Sequence, residues 1–211
     1  MGYKHYLKLK EHPEVYAPQE DTWFLTDILM HYFEDEIKQN RSIGYVCEIG
    51  IGTGYISTIL GYNFPKIKFI GIDISIEAVK LSYQNMSRWI HSEKFSLICG
   101  DLITSFNPSR FNPNVIFFNP PYVKTSYLEY MNKTNPIIRA WAGGPNGTAV
   151  ICNFLENIKN FDFGIAFFLS SLFNNNDEIE THFEEYFKFE IIAQKKVEDE
   201  KLLCYQVKSQ I

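Results

Sequence analysis

Long apolar runs are missing from this chain. No stretch approaches 18 apolar residues, so a membrane-spanning helix is excluded on length. The segment Met1 to Lys10 carries Lys and Tyr but no apolar core, so a secretory signal is not expected. Cysteine is sparse: Cys47, Cys99, Cys152 and Cys204 form no Cys-x-x-Cys pair, which removes the usual thiolate zinc pattern. Three of them fall in apolar strand-like runs, and the expectation is buried, reduced thiols in a cytoplasmic protein with no metal. Positive charge is also short. Lys and Arg number 20 against 25 Asp and Glu, a net charge of −5, which leaves no broad phosphate-binding face. Neither repeats nor low-complexity linkers are present.

What remains is a well-proportioned globular composition, 45% hydrophobic and 21% charged, with 18 Phe and 13 Tyr. At 211 residues this predicts a single domain over 1–211 with its own core. Residues 1–19 are expected to be irregular, since Pro13 and Pro18 interrupt any helix there.

From Asp21 to about Gln39, Phe24, Leu25, Ile28, Leu29, Tyr32 and Phe33 recur at helical spacing, with Asp21 or Thr22 as the expected N-cap. Strands and helices then alternate. Strands are expected at 44–49, 67–72, 95–99, 115–118 and 163–170, and helices at 56–61, 75–91, 148–158 and 177–186. Two further strands, 187–193 and 202–207, are separated only by Gln194–Lys201. That is too short for a parallel crossover, so they should pair antiparallel near an edge. The pattern predicts an α/β fold with a doubly wound, mostly parallel, Rossmann-like sheet. Residues 123–147 form a long connection, and such loops usually serve a function.

Chemistry gathers at the strand ends. Glu48-Ile-Gly50-Ile-Gly52-Thr-Gly54 follows the first strand, where glycines admit close backbone approach and a tight turn into a helix. Tyr55 stands where the dinucleotide fingerprint wants a third glycine, and no Lys follows as in a phosphate loop. Asp73, followed by Ile74, ends the second strand, and Asp101 with Leu102 ends the third. Taken singly, each Asp serves equally well as a turn former. As a set with the glycine turn, they describe an acidic pocket for a cofactor that is cationic and lacks phosphates. S-adenosyl-L-methionine meets both conditions: Asp73 could accept from the ribose hydroxyls and Asp101 could reach the purine amino group.

After the apolar strand 115–118 comes Asn119-Pro120-Pro121-Tyr122. Proline donates no ladder hydrogen bond and fixes its own φ, so the strand must stop there, at the end that faces the ligand crevice. One side-chain amide, one rigid carbonyl and one flat ring suit an acceptor that is a planar –NH2 group. Tyr122 would pack on that plane, or serve as an ordinary core aromatic. Trp141 reads equally as core packing or as a substrate lid.

The glycine turn, Asp73, Asp101 and the Asn-Pro-Pro-Tyr turn resemble a class I methyltransferase of the HemK type. Val15-Tyr16-Ala17-Pro18-Gln19-Glu20-Asp21-Thr22 and Trp141-Ala142-Gly143-Gly144-Pro145-Asn146-Gly147 resemble signatures of its eukaryotic and archaeal branch. The resemblance implies N5-methylation of the glutamine in a Gly-Gly-Gln motif of a class I translation release factor, alone or with its GTPase partner. It implies S-adenosylmethionine contacts from Thr22, Glu48, Gly50, Gly52, Gly54, Asp73, Ile74, Asp101, Leu102 and Asn119. Substrate contacts would come from Asn119, Pro120, Pro121, Tyr122 and Trp141, with Asn119, Pro120 and Tyr122 catalytic. Ser171–Asn176 departs from the pattern, standing where relatives carry a more basic stretch.

The resemblance also implies a heterodimer with a small zinc-binding activator subunit. The third strand, Phe95–Cys99, is short, apolar and free of Lys and Pro, an unprotected edge open to β-augmentation. Helix 75–91 and the Phe69/Ile70 region would complete that contact. Two rival activities use related chemistry. An N6-adenine nucleic-acid methyltransferase would need a basic groove, which the charge of −5 disfavours. A protein lysine methyltransferase would present a flexible ammonium to a site better suited to a planar amide. A non-catalytic binding module would have little use for Asp73, Asp101 and Asn119 together.

Overall fold

The computed structural model describes residues 7–132 and 134–210. Among them the elements run α1 (Glu20–Lys38), β1 (Tyr45–Ile49), α2 (Tyr55–Asn63), β2 (Lys68–Asp73), α3 (Ile76–Met86), β3 (Phe95–Cys99), β4 (Val115–Phe118), α4 (Tyr127–Tyr130), α5 (Pro136–Trp141), α6 (Ala149–Ile158), β5 (Ile165–Ser171), α7 (Asn176–Phe183), β6 (Phe187–Val197) and β7 (Glu200–Ser209). The strands make one seven-stranded sheet in the order β3-β2-β1-β4-β5-β7-β6. β1 to β5 are parallel; β7 lies antiparallel to both β5 and β6.

β4 and β5 are buried at every position, which requires cover on both faces. Successive β5 side chains point to opposite faces, and the contacts follow that rule. Phe167 meets Tyr32 of α1 edge-on, while its neighbour Phe168 meets Phe154 of α6. Phe168 also stacks on Tyr205 of β7, with ring centroids 5.0 Å apart. Truncating either phenylalanine to alanine in such a core typically costs about 3–5 kcal/mol. The chain leaves β1 in one direction through β2 to β3, then returns to place β4 on the other side of β1. The strand order therefore reverses between β1 and β4, and the crevice beyond their carboxyl ends is where ligands bind in open α/β sheets.

The structure corrects several expectations. Gln19, not Asp21 or Thr22, is the N-cap of α1; its N–H donates to Thr22 Oγ1. The connection 123–147 contains α4 and α5, each opened by its own cap from Ser126 or Asn135. β6 and β7 extend through the predicted Gln194–Lys201 connection, turning only at Glu198 and Asp199. Charged residues crowd that stretch, with Val197 its one apolar side chain, and this hid the strand pattern. Cys47 and Cys204 are buried, but Cys99 is exposed and Cys152 half-buried on α6. Phe69 is 1% exposed, a core residue that cannot serve a partner surface.

Candidate active site

The glycine turn is shaped by its neighbours. Gly50 (φ +65°) has a backbone that few side chains adopt, and a Cβ there would lie 2.9 Å from the Phe118 ring. Glu48 is buried beneath the turn, where Oε2 accepts from Ser57 N (3.2 Å) and Ser57 Oγ (2.5 Å) in the first turn of α2. Burial pushes its carboxyl up to about 8. The Ser57 hydrogen bonds oppose that rise, and the charge of Asp73 adds to it. Asp73 ties the turn to the next strand. Oδ2 accepts from Gly52 N and Oδ1 from Ser75 N, both at 2.9 Å. Burial raises this carboxyl too, against the pull of those N–H groups and of Arg139.

The Asn-Pro-Pro-Tyr turn faces the same crevice. Asn119 Nδ2 donates to Asp21 Oδ2 at 3.0 Å, while Asn119 Oδ1 is buried and finds no hydrogen-bond partner among the described residues. The Tyr122 hydroxyl also donates to Asp21 Oδ2, at 3.4 Å, and the Tyr16 hydroxyl does so at 3.3 Å. Burial beside that carboxylate pushes both phenols well up. From the other side, Asn174 Nδ2 donates to the carbonyls of Tyr122 (2.9 Å) and Gly147 (3.2 Å). Val123 N then donates to Trp141 O, so α5 is laced to the residue after the turn.

Most of these groups, though not Ser57, Gly147 or Asn174, line one cavity of about 680 Å³, within the usual range for a small-molecule site. It brings together Thr22, Glu48, Gly50, Gly52, Asp73, Ile74, Asp101, Leu102, Asn119 to Tyr122 and Trp141. Gly54 is not in its wall; with φ +76° it caps α2 and lies against Ser82 of α3. Asp101 is exposed at the rim, and Leu102 beside it holds φ +49°, an uncommon backbone for leucine. Trp141 is half-buried and also walls a side groove with His12, Tyr16 and Ile137.

Sequence reasoning did not single out Asp21 as a ligand-site residue, nor Asn174 or Arg139. Asp21 lay inside the quoted Val15–Thr22 signature, which was the available signal; Asn174 sat in the stretch noted only as a departure.

Five parallel strands with an antiparallel β7 slotted before the edge define a class I methyltransferase. The solved delta-N METTL16 methyltransferase domain shares this fold with a TM-score of 0.66 at 11% identity, over 95% of this chain and 87% of that one. The chain belongs to the methyltransferase small domain family, which matches residues 6–142. A Methanocaldococcus jannaschii protein with the provisional name protein N5-glutamine methyltransferase is 34% identical over 200 residues, 93% of each chain. The eRF1 methyltransferase catalytic subunit mtq2 of Schizosaccharomyces pombe is 32% identical over 167 residues, 73% of this chain and 70% of that one. The HemK-type resemblance is thereby borne out, and the chain is a methyltransferase of that group.

Proposed function

We propose that this chain methylates the side-chain nitrogen of a glutamine in a class I release factor, with S-adenosylmethionine as methyl donor. The buried, partnerless Asn119 Oδ1 carries this reading: a hydrogen-bond acceptor held ready in a cavity calls for a donor, and a primary amide brings two. The names of the archaeal and yeast relatives support the substrate class.

The cavity fits the donor. A Cβ on Gly52 would meet no atom nearer than 3.9 Å, so that glycine leaves the cavity open, and Glu48, Asp73 and Asp101 supply acidic side chains without a phosphate-binding lysine. Asp73 has each oxygen fixed by one backbone N–H, leaving lone pairs for ribose hydroxyls. Asp101 and Leu102 at the rim would flank the adenine. Bound there, the sulfonium supplies an electrophilic methyl group. An amide nitrogen is a poor nucleophile because its lone pair is delocalised. Asn119 Oδ1 and the Pro120 carbonyl would each accept one of its N–H bonds, fix the nitrogen and orient its lone pair. Tyr122, buried beside them, excludes water.

For a partner, β3 pairs only with β2 among the described residues, so its other edge is open. Exposed Ile74, Ile76 and Tyr83 extend an apolar face beside it. A small zinc-binding activator subunit on that face agrees with the yeast relative being named a catalytic subunit.

The test is transfer of labelled methyl to the release factor, wild type or with the Gly-Gly-Gln glutamine replaced, by the chain with and without that subunit. Label on the wild-type factor alone is expected. Label on adenine in DNA or RNA, or on lysine, would replace the reading.

A further inference from the structure

Asp21 is not among the residues assigned to the cofactor, yet it is 7% exposed and surrounded by donors from three segments. Its Oδ1 accepts from Thr22 N at 2.6 Å and Thr22 Oγ1 at 3.2 Å, and its Oδ2 from Asn119 Nδ2, Tyr16 OH and Tyr122 OH. An ionised carboxylate only accepts. A primary amide beside it therefore has one acceptable orientation of two, with its NH2 toward the carboxylate. For Asn119 the alternative would set Oδ1 against Asp21 and turn Nδ2 into the space that the partnerless Oδ1 now faces. A substrate NH2 arriving there would meet donors instead of an acceptor.

We propose that Asp21 is a positioning residue for methyl transfer: it sets the polarity of the Asn119 amide so that the oxygen, not the NH2, meets the substrate nitrogen. The proposal rests on the reading of Asn119 Oδ1 as the acceptor for a substrate N–H. Asp21 makes no covalent step and moves no proton. The two tyrosine hydroxyls donate to the same Oδ2, so the buried carboxylate is surrounded by donors and its position is fixed from the amino-terminal segment and from the turn at once.

The experiment compares Asp21→Asn, Asn119→Asp and the double exchange D21N/N119D with wild type. Asp21→Asn keeps the volume but offers an NH2, which draws Asn119 Oδ1 toward position 21. Its kcat is expected to fall about 100-fold, the scale of one misplaced preorganised dipole. Its melting temperature and its affinity for S-adenosylhomocysteine, measured by calorimetry, should stay close to wild type. The exchange puts a carboxylate at 119 that accepts from the new amide and still offers an oxygen to substrate. It is expected to recover at least about tenfold over Asp21→Asn. A residue that only supports the fold would instead lower the melting temperature and gain nothing from the exchange. Wild-type kcat in Asp21→Asn, or a folded double variant no better than the single one, would overturn the proposal. The substrate reading is judged separately by wild type on the release factor, and the ratio of Asp21→Asn to wild type holds on whichever NH2 substrate is methylated.

Discussion

Asn85 on α3 and Lys10 in the amino-terminal segment form a reciprocal pair. Lys10 N donates to Asn85 Oδ1 at 2.8 Å, and Asn85 Nδ2 returns a hydrogen bond to Lys10 O at 3.0 Å. The same Nδ2 donates to Thr53 O in the glycine turn at 2.9 Å. One fully buried amide thus fastens the segment that carries Tyr16 to the turn that shapes the cofactor cavity.

Asn85→Ala leaves the Thr53 carbonyl unsatisfied and frees the segment. A loss of about 1–3 kcal/mol in stability is expected for the buried acceptor alone. Hydrogen exchange should rise most in residues 9–18 and around Thr53. Uniform acceleration across the sheet would show that Asn85 acts on the fold at large.

Asn119→Ala removes the proposed acceptor for the substrate amide and the donor to Asp21. Turnover should fall by about 100- to 1,000-fold, as for deletion of one preorganised dipole. Affinity for S-adenosylhomocysteine should change little, because the cofactor cavity is built on β1, β2 and β3. Calorimetry beside a single-turnover assay checks both halves, and near-full turnover would remove Asn119 from the chemistry.

Glu48 gives the folded chain a pH signature. Its carboxyl lies near 4.5 ordinarily and is pushed up to about 8 in the fold, so the native state holds a proton that the unfolded state has released. Its contribution is complete below the unfolded value and is lost as pH rises through the folded one. The slope between them is at most about 1.4 kcal/mol per pH unit for one proton. Glu48→Gln keeps the shape and abolishes the titration. In denaturant melts from pH 5 to 8, wild type should lose stability relative to Glu48→Gln as pH rises; parallel curves would contradict this.

Gly147 holds φ +72°, and a Cβ there would lie 2.1 Å from Asn174 Oδ1 and 2.7 Å from Tyr122 O. Gly147→Ala combines backbone strain with a collision against main chain, together on the order of 2–4 kcal/mol. Because Asn174 would have to move, methyl transfer should fall further than the melting temperature alone accounts for. Full activity in the folded variant would show that the Asn174 anchor is dispensable.

The parallel strands were readable in advance because buried strands of this kind are unbroken apolar runs such as Val115–Phe118. The glycine turn, Asp73 and Asn119 were readable for a related reason: each breaks such a run with chemistry that a sheet does not need. Asp21 was not, since at the start of an amphipathic helix an acidic residue already has a local explanation in the helix dipole. Its pairing with Asn119 spans 98 residues, and no local pattern reports it. Asn174 was hidden likewise, inside a polar loop whose hydrogen bonds reach back to Tyr122. The hairpin β6–β7 was clipped because the charged Lys195 and Lys196 suppress the apolar alternation of an outer strand.

The position of β7 between β5 and β6 bears on the order in which the molecule can assemble. β1 to β5 find their ladder partners among residues up to 171, so this block can pair while synthesis continues. The far side of β5 must wait for residues 202–207, and until then the ring of Phe168 lacks its stacking partner Tyr205. A nascent chain stalled before that point therefore shows an open strand with the apolar run 165–169, the kind of surface that chaperones bind and that aggregates recruit.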